Sequence, residues 1–117
     1  MSATLYGIKN CDSVKKARKW LESQQIDYQF HDFREQGLDR ALLDTMLQSL
    51  EWKALLNTRS TTWRQLDAQQ KDNIDRDSAI ALMLEQPTLI KRPVTLLGER
   101  AQVGFKADAF SQLFLNT

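Results

Sequence analysis

The sequence predicts an α/β fold in which a βαβ unit and a ββα unit share one four-stranded mixed sheet, with a helical insertion at about 38–90. Three observations carry that expectation. The chain opens with a strand, loop, helix and strand pattern, its middle has helical period throughout, and it returns after Pro93 to two short β-rich runs and a last helix. With 117 residues, 42% hydrophobic and 26% charged, it is long enough to bury a core unaided, and it reads as a single domain over 1–117.

Ala3 to Ile8 is apolar and β-rich and stops at Lys9-Asn10, before a stretch of helical period. On a helical wheel Lys15, Lys16, Arg18 and Lys19 fall on one side and Val14, Ala17, Trp20 and Leu21 on the other, so the second stripe is expected to dock. Asp27 to Phe33 alternates as a strand, which completes a right-handed βαβ unit. Gly37 breaks the chain, Asp39 is placed to cap a helix, and Leu42, Leu43, Met46, Leu47 and Leu50 give that helix its apolar face. Thr62 to Gln65 has capping-box spacing, Asp77 is expected to cap the helix through Ile80, Leu82, Met83 and Leu84, and Pro87 ends it. Val94–Leu97 and Ala101–Phe105 read as strands joined at Gly98-Glu99, followed by a helix with Ala109, Phe110, Leu113 and Phe114. The two end units follow the two-part plan of the thioredoxin fold.

A net charge of +1 gives no strong field over the whole molecule, so direct nucleic-acid binding and membrane binding are not expected. Met1 to Leu5 shows neither a basic leader nor an apolar signal core, and the expected location is the cytoplasm. One cysteine cannot form an internal disulfide, and no metal-ligand spacing is present. Charge is nevertheless gathered beside that cysteine: Lys9, Lys15, Lys16, Arg18 and Lys19 stand against Asp12 alone over residues 9–19.

Cys11 follows the first strand, lies between Asn10 and Asp12 and precedes a helix, which are poor surroundings for a core residue. The thiolate is the nucleophile, and an unperturbed thiol supplies only about 3% of it at pH 7, so a working cysteine needs a site that favours the anion. A helix start with unpaired amides, and Lys9, Lys15 and Lys16 close in sequence, would do this, with Lys9, Asn10 and Lys15 as candidate anion-binding residues. Asp12 would oppose it if its carboxylate faced the sulfur. Arg59, in Asn57-Thr58-Arg59-Ser60, and Arg92, in Lys91-Arg92-Pro93, stand at turn-like places, and guanidinium forks suit oxyanions and carboxylates. His31 is given no catalytic role.

Thr4-Leu5-Tyr6-Gly7-Ile8-Lys9-Asn10-Cys11, Lys16-Ala17-Arg18-Lys19-Trp20-Leu21, Asn57-Thr58-Arg59-Ser60, Lys91-Arg92-Pro93 and Val103-Gly104-Phe105 occur in that order. On these motifs the chain resembles the ArsC/Spx family, most closely its short YffB-like members. The resemblance implies a thioredoxin-like fold with a helical insertion, Cys11 as nucleophile, anion-binding roles for Arg59 and Arg92, and a cis bond before Pro93. It also marks departures. Arsenate reductases of the family place a histidine where this chain has Gly7, and a third arginine in the late hairpin, absent from Ala101 to Phe105. The Spx regulators carry Cys-x-x-Cys, whereas the second position here is Val14.

The function expected from these features is a glutathione-dependent monothiol reductase of the arsenate reductase type. The Cys11 thiolate attacks an oxyanion or a disulfide, Arg59 and Arg92 hold the negative charge, and an external thiol resolves the adduct. No bound cofactor is expected. Glutathione is the natural co-substrate, glutaredoxin could recycle it, and the chain is expected to be a monomer. The alternative is an Spx-like regulator that binds RNA polymerase with little or no redox chemistry.

Overall fold

The computed structural model describes residues 3–115; Met1 and Ser2 of the leader reading lie outside them. In chain order the elements begin with β1 (Ala3–Gly7), α1 (Asp12–Ser23), β2 (Tyr28–Asp32), α2 (Phe33–Gln36), α3 (Arg40–Leu47) and α4 (Trp52–Leu55). They continue with α5 (Thr61–Arg64), α6 (Ala68–Asp72), α7 (Arg76–Glu85), a 3₁₀ turn at Pro87–Leu89, β3 (Val94–Leu97), β4 (Arg100–Val103) and α8 (Ala107–Phe114). The chain divides into two compact units, one of residues 3–37 and 92–115, the other of Leu38–Lys91.

The first unit holds the sheet, in the order β2-β1-β3-β4, with β1 parallel to β2 and antiparallel to β3. This is the mixed four-stranded, thioredoxin-like arrangement read from the sequence. Side chains alternate across a strand, so Leu5 and Tyr6 face opposite ways. Leu5 packs with Val14, Ala17 and Leu21 of α1 and Phe110 of α8, all fully buried. Each of the larger members contributes about 1.5–3 kcal/mol of burial. Tyr6 stacks with Phe33, centroids 6.3 Å apart, and meets the His31 ring at 5.1 Å. The last strand runs Arg100–Val103 rather than Ala101–Phe105. The Leu97–Arg100 pair starts the ladder directly after the turn, and Gly104, at φ +80°, leaves it by donating its amide to the Pro93 carbonyl at 2.8 Å.

The second unit buries Leu43, Met46, Leu55, Ile80, Met83, Leu89 and Ile90. Asp39 caps α3 as expected, accepting from the Leu42 amide at 2.8 Å. Two caps differ from the sequence reading. Ser60, not Thr62, starts α5, because its Oγ accepts from the Trp63 amide at 3.1 Å. Asp75, not Asp77, starts α7, through a reciprocal capping box with Ser78. The helices α2, α4 and α6 are new: at four or five residues they are too short for an apolar period to show.

Candidate functional site

β1 ends at Gly7 and runs through Ile8, Lys9 and Asn10 into Cys11, the N-cap residue of α1. Its backbone is extended (φ −117°, ψ 124°), and its carbonyl accepts the Lys15 amide at 2.9 Å as the first bond of the helix. No side chain caps α1, so its first amides are left for whatever anion stands there. Cys11 is a free, half-buried thiol packed against the Leu5, Val14 and Phe110 cluster. It is neither sealed in the core nor fully solvated.

Tyr6 pairs with Val94, so β3 begins beside the end of β1. The Arg92-Pro93 step, with its cis peptide, therefore enters the sheet at the end from which the Cys11 loop leaves. Pro93 is buried and Arg92 half-buried. The Nε and Nη1 atoms of Arg92 are buried and have no hydrogen-bond partner among the described residues. Leaving buried donors of a charged group unsatisfied costs free energy, commonly about 1–3 kcal/mol or more. An oxyanion or carboxylate would offset that cost.

The sequence matches the ArsC family over residues 6–113. The chain belongs to the ArsC family. It is similar to the solved YFFB (PA3664) protein, with 49% identity and a TM-score of 0.88 over 93% of this chain and 96% of that one. An arsenate reductase (ArsC) related protein from Brucella melitensis is 47% identical, with a TM-score of 0.78 over 100% of this chain and 97% of that one. The global transcriptional regulator Spx of Streptococcus pyogenes is 31% identical over 107 residues, 90% of this chain and 79% of that one.

The surroundings of Gly7 show why no side chain fits there. A Cβ placed there would lie 2.6 Å from Cγ2 of Val14. The end of β1 and the first turn of α1 are in direct contact, and Val14 is fully buried. A histidine at this position would need α1 to stand off from the sheet.

The other residues singled out from the sequence fall into different settings. Lys9 Nζ lies 2.7 Å from Glu35 Oε1, both side chains more than half exposed (57% and 59%), so the pair is screened and weak. Asn10 and Lys15 are exposed. Arg59 is exposed in the second unit, on a turn where its amide donates to Asn57 Oδ1 at 3.1 Å and Ser60 Oγ donates to the Asn57 carbonyl at 2.9 Å. Asn57 is anchored in turn by its amide bond to the Leu89 carbonyl at 2.7 Å. Among the described residues no cluster of His, Cys, Asp and Glu could hold a metal ion, and no helix is long and apolar enough to cross a membrane.

Asp32 is the residue that reading the sequence passed over. The residue is only 3% exposed. Oδ1 accepts from the Arg34 amide at 2.7 Å and caps α2, while Oδ2 accepts from the Lys9 amide at 3.2 Å. Burial pushes its pKa up, but bonds from the Arg34, Lys9 and Glu35 amides and the Lys9 charge outweigh that, leaving it below the usual carboxylate value. The available signal was the run Asp32-Phe33-Arg34-Glu35 at the end of a strand, which has N-cap spacing.

Proposed function

We propose that this protein is a glutathione-dependent monothiol reductase of the arsenate reductase type, with Cys11 as its nucleophile. The observation that carries the reading is a half-buried free thiol at an uncapped helix start, on the sheet end where Arg92 enters with its buried Nε and Nη1 unpartnered. With a glutathione mixed disulfide, the Cys11 thiolate attacks one sulfur, the substrate leaves as a thiolate, and Cys11 carries the glutathione. A second glutathione then attacks that disulfide, releasing oxidised glutathione and restoring the Cys11 thiolate. With an oxyanion such as arsenate, sulfur displaces one oxygen as water to form a sulfur–arsenic bond; one glutathione attacks the Cys11 sulfur, arsenic leaves with the bonding pair as arsenite, and a second glutathione releases the Cys11 thiolate and oxidised glutathione. Arg92 holds the negative charge in either case. The family resemblance gives Arg59 an anion-binding role as well, and Arg59→Ala tests it.

No second cysteine can resolve the adduct, so an outside thiol must, and glutaredoxin is a suitable one. The test compares wild type with Cys11→Ser for reduction of arsenate and of a glutathione mixed disulfide, with glutathione and glutaredoxin supplied. Mass spectrometry of the intact protein after oxidised glutathione should show one adduct on wild type and none on Cys11→Ser. An unmodified wild type with no turnover of either substrate would refute the reading.

The similarity to Spx supports a second reading, a regulator that binds RNA polymerase and makes little use of its thiol. Under that reading Cys11→Ser behaves as wild type and polymerase subunits co-purify with both proteins.

A further inference from the structure

We propose that Asp32 is a positioning residue for Cys11: by holding the Lys9 amide, its buried carboxylate fixes the loop that sets the thiol at the start of α1. This rests on the reading of Cys11 as the reacting thiol. The β1–β2 ladder closes at the Gly7–Asp32 pair, because β2 turns at once into α2 and offers no further carbonyl to the departing strand. A carboxylate oxygen takes the carbonyl's place. Oδ2 reaches across a sequence separation of 23 to the Lys9 amide, and this bond carries the tie one step beyond the ladder, toward Cys11.

Capping alone does not explain the arrangement. Oδ1 caps α2 through the Arg34 amide. The second oxygen is turned to the loop instead. The turn that carries it is braced, since the Asp32 amide donates to Gln36 Oε1 at 3.0 Å, and Glu35 on the same turn meets the Lys9 side chain. Lys9 is thus held at its main chain by a buried group and at its side chain by an exposed one. Asn10 then leads directly to the thiol, whose own helix adds Asp12 and Lys15 as the nearby charges.

Charge and position give opposite signs, which makes the inference testable. Asp32→Asn removes a negative charge near the loop, and by Coulomb's law alone that favours the Cys11 thiolate. Loss of position acts the other way. The experiment is alkylation of Cys11 by iodoacetamide as a function of pH, for wild type, Asp32→Asn and Asp32→Ser. Serine retains an N-cap for α2 but is too short to reach Lys9, and it serves where the amide disturbs folding. Both variants are expected to alkylate about threefold more slowly than wild type on the acid limb of the profile.

Asp39→Ala removes the cap of α3 in the second unit, and is expected to lower the melting temperature without moving the profile. Glu35→Gln breaks the exposed ion pair, and is expected to leave it unmoved too. An Asp32 variant that matches wild type or reacts faster overturns the proposal, as does Glu35→Gln moving the profile as far as Asp32→Asn. A wild-type thiol that reacts no differently from free cysteine refutes instead the reading of Cys11 on which the proposal stands.

Discussion

Replacing Gly7 with alanine tests how closely α1 is set against β1, and the size of the effect follows from one contact. The new Cβ would lie 2.6 Å from Val14 Cγ2, closer than carbon atoms approach without strain. Valine is stiff at χ1, and Val14 is fully buried beside Leu5, Ala17, Leu21 and Phe110, so it cannot simply swing aside. Overpacking of this kind costs about 1–3 kcal/mol, against which the lost freedom of glycine in the unfolded chain returns about 0.5–1 kcal/mol. A net loss of about 1–2 kcal/mol is expected. Val14→Ala alone should cost about 2 kcal/mol through two lost methyl groups and the cavity they leave. In the Val14→Ala background the clash is gone, so Gly7→Ala should be neutral or stabilising there. Urea unfolding of the four proteins measures the coupling, expected at about 1–3 kcal/mol in favour of the double variant. Losses that add to within about 0.5 kcal/mol would refute the argument.

The remaining expectations concern Arg92, Cys11 and acid stability. Arg92→Met removes a guanidinium whose buried nitrogens lack partners, so it should cost little stability or raise it, while lowering turnover by about tenfold or more. Added arsenate or phosphate should raise the melting temperature of wild type but not of Arg92→Met. Cys11→Ser should abolish both reductase activity and the glutathione adduct while unfolding at nearly the wild-type urea concentration. Asp32 has a lowered pKa in the folded protein, so its contribution to stability is complete above the unfolded value of about 4 and is lost as pH falls through the folded value. Urea midpoints measured from neutral pH down to about pH 3 should therefore fall less steeply for Asp32→Asn than for wild type.

What could be read from the sequence was what period and punctuation record. The stripe of Val14, Ala17 and Leu21, the Asp39 cap, the stop at Pro87 and the turn at Gly98 all act on immediate neighbours, and all were legible. The cis bond before Pro93 came from the family resemblance, since no local signal sets it. Competing caps were harder. Ser60 and Asp75 stand near Thr62 and Asp77, all are residues that cap well, and three-dimensional context chooses among them. Within the site, the place of Cys11 at a helix start followed from strand and helix patterns. Asp32 did not, because its role depends on the pairing of Gly7 with a residue far along the chain, and an alternating strand records only which face a residue takes.

The sheet also has a history in time. Its two central strands come from opposite ends of the chain, Ala3–Tyr6 against Val94–Leu97, with the whole of the second unit between them. Joining them across an unfolded chain of roughly 90 residues costs about 4 kcal/mol in loop entropy alone. Residues 38–91 are contiguous and have their own buried core, so they can fold while the C-terminal strands are still being synthesised. The sheet end that carries the thiol loop is completed only when β3 arrives beside β1.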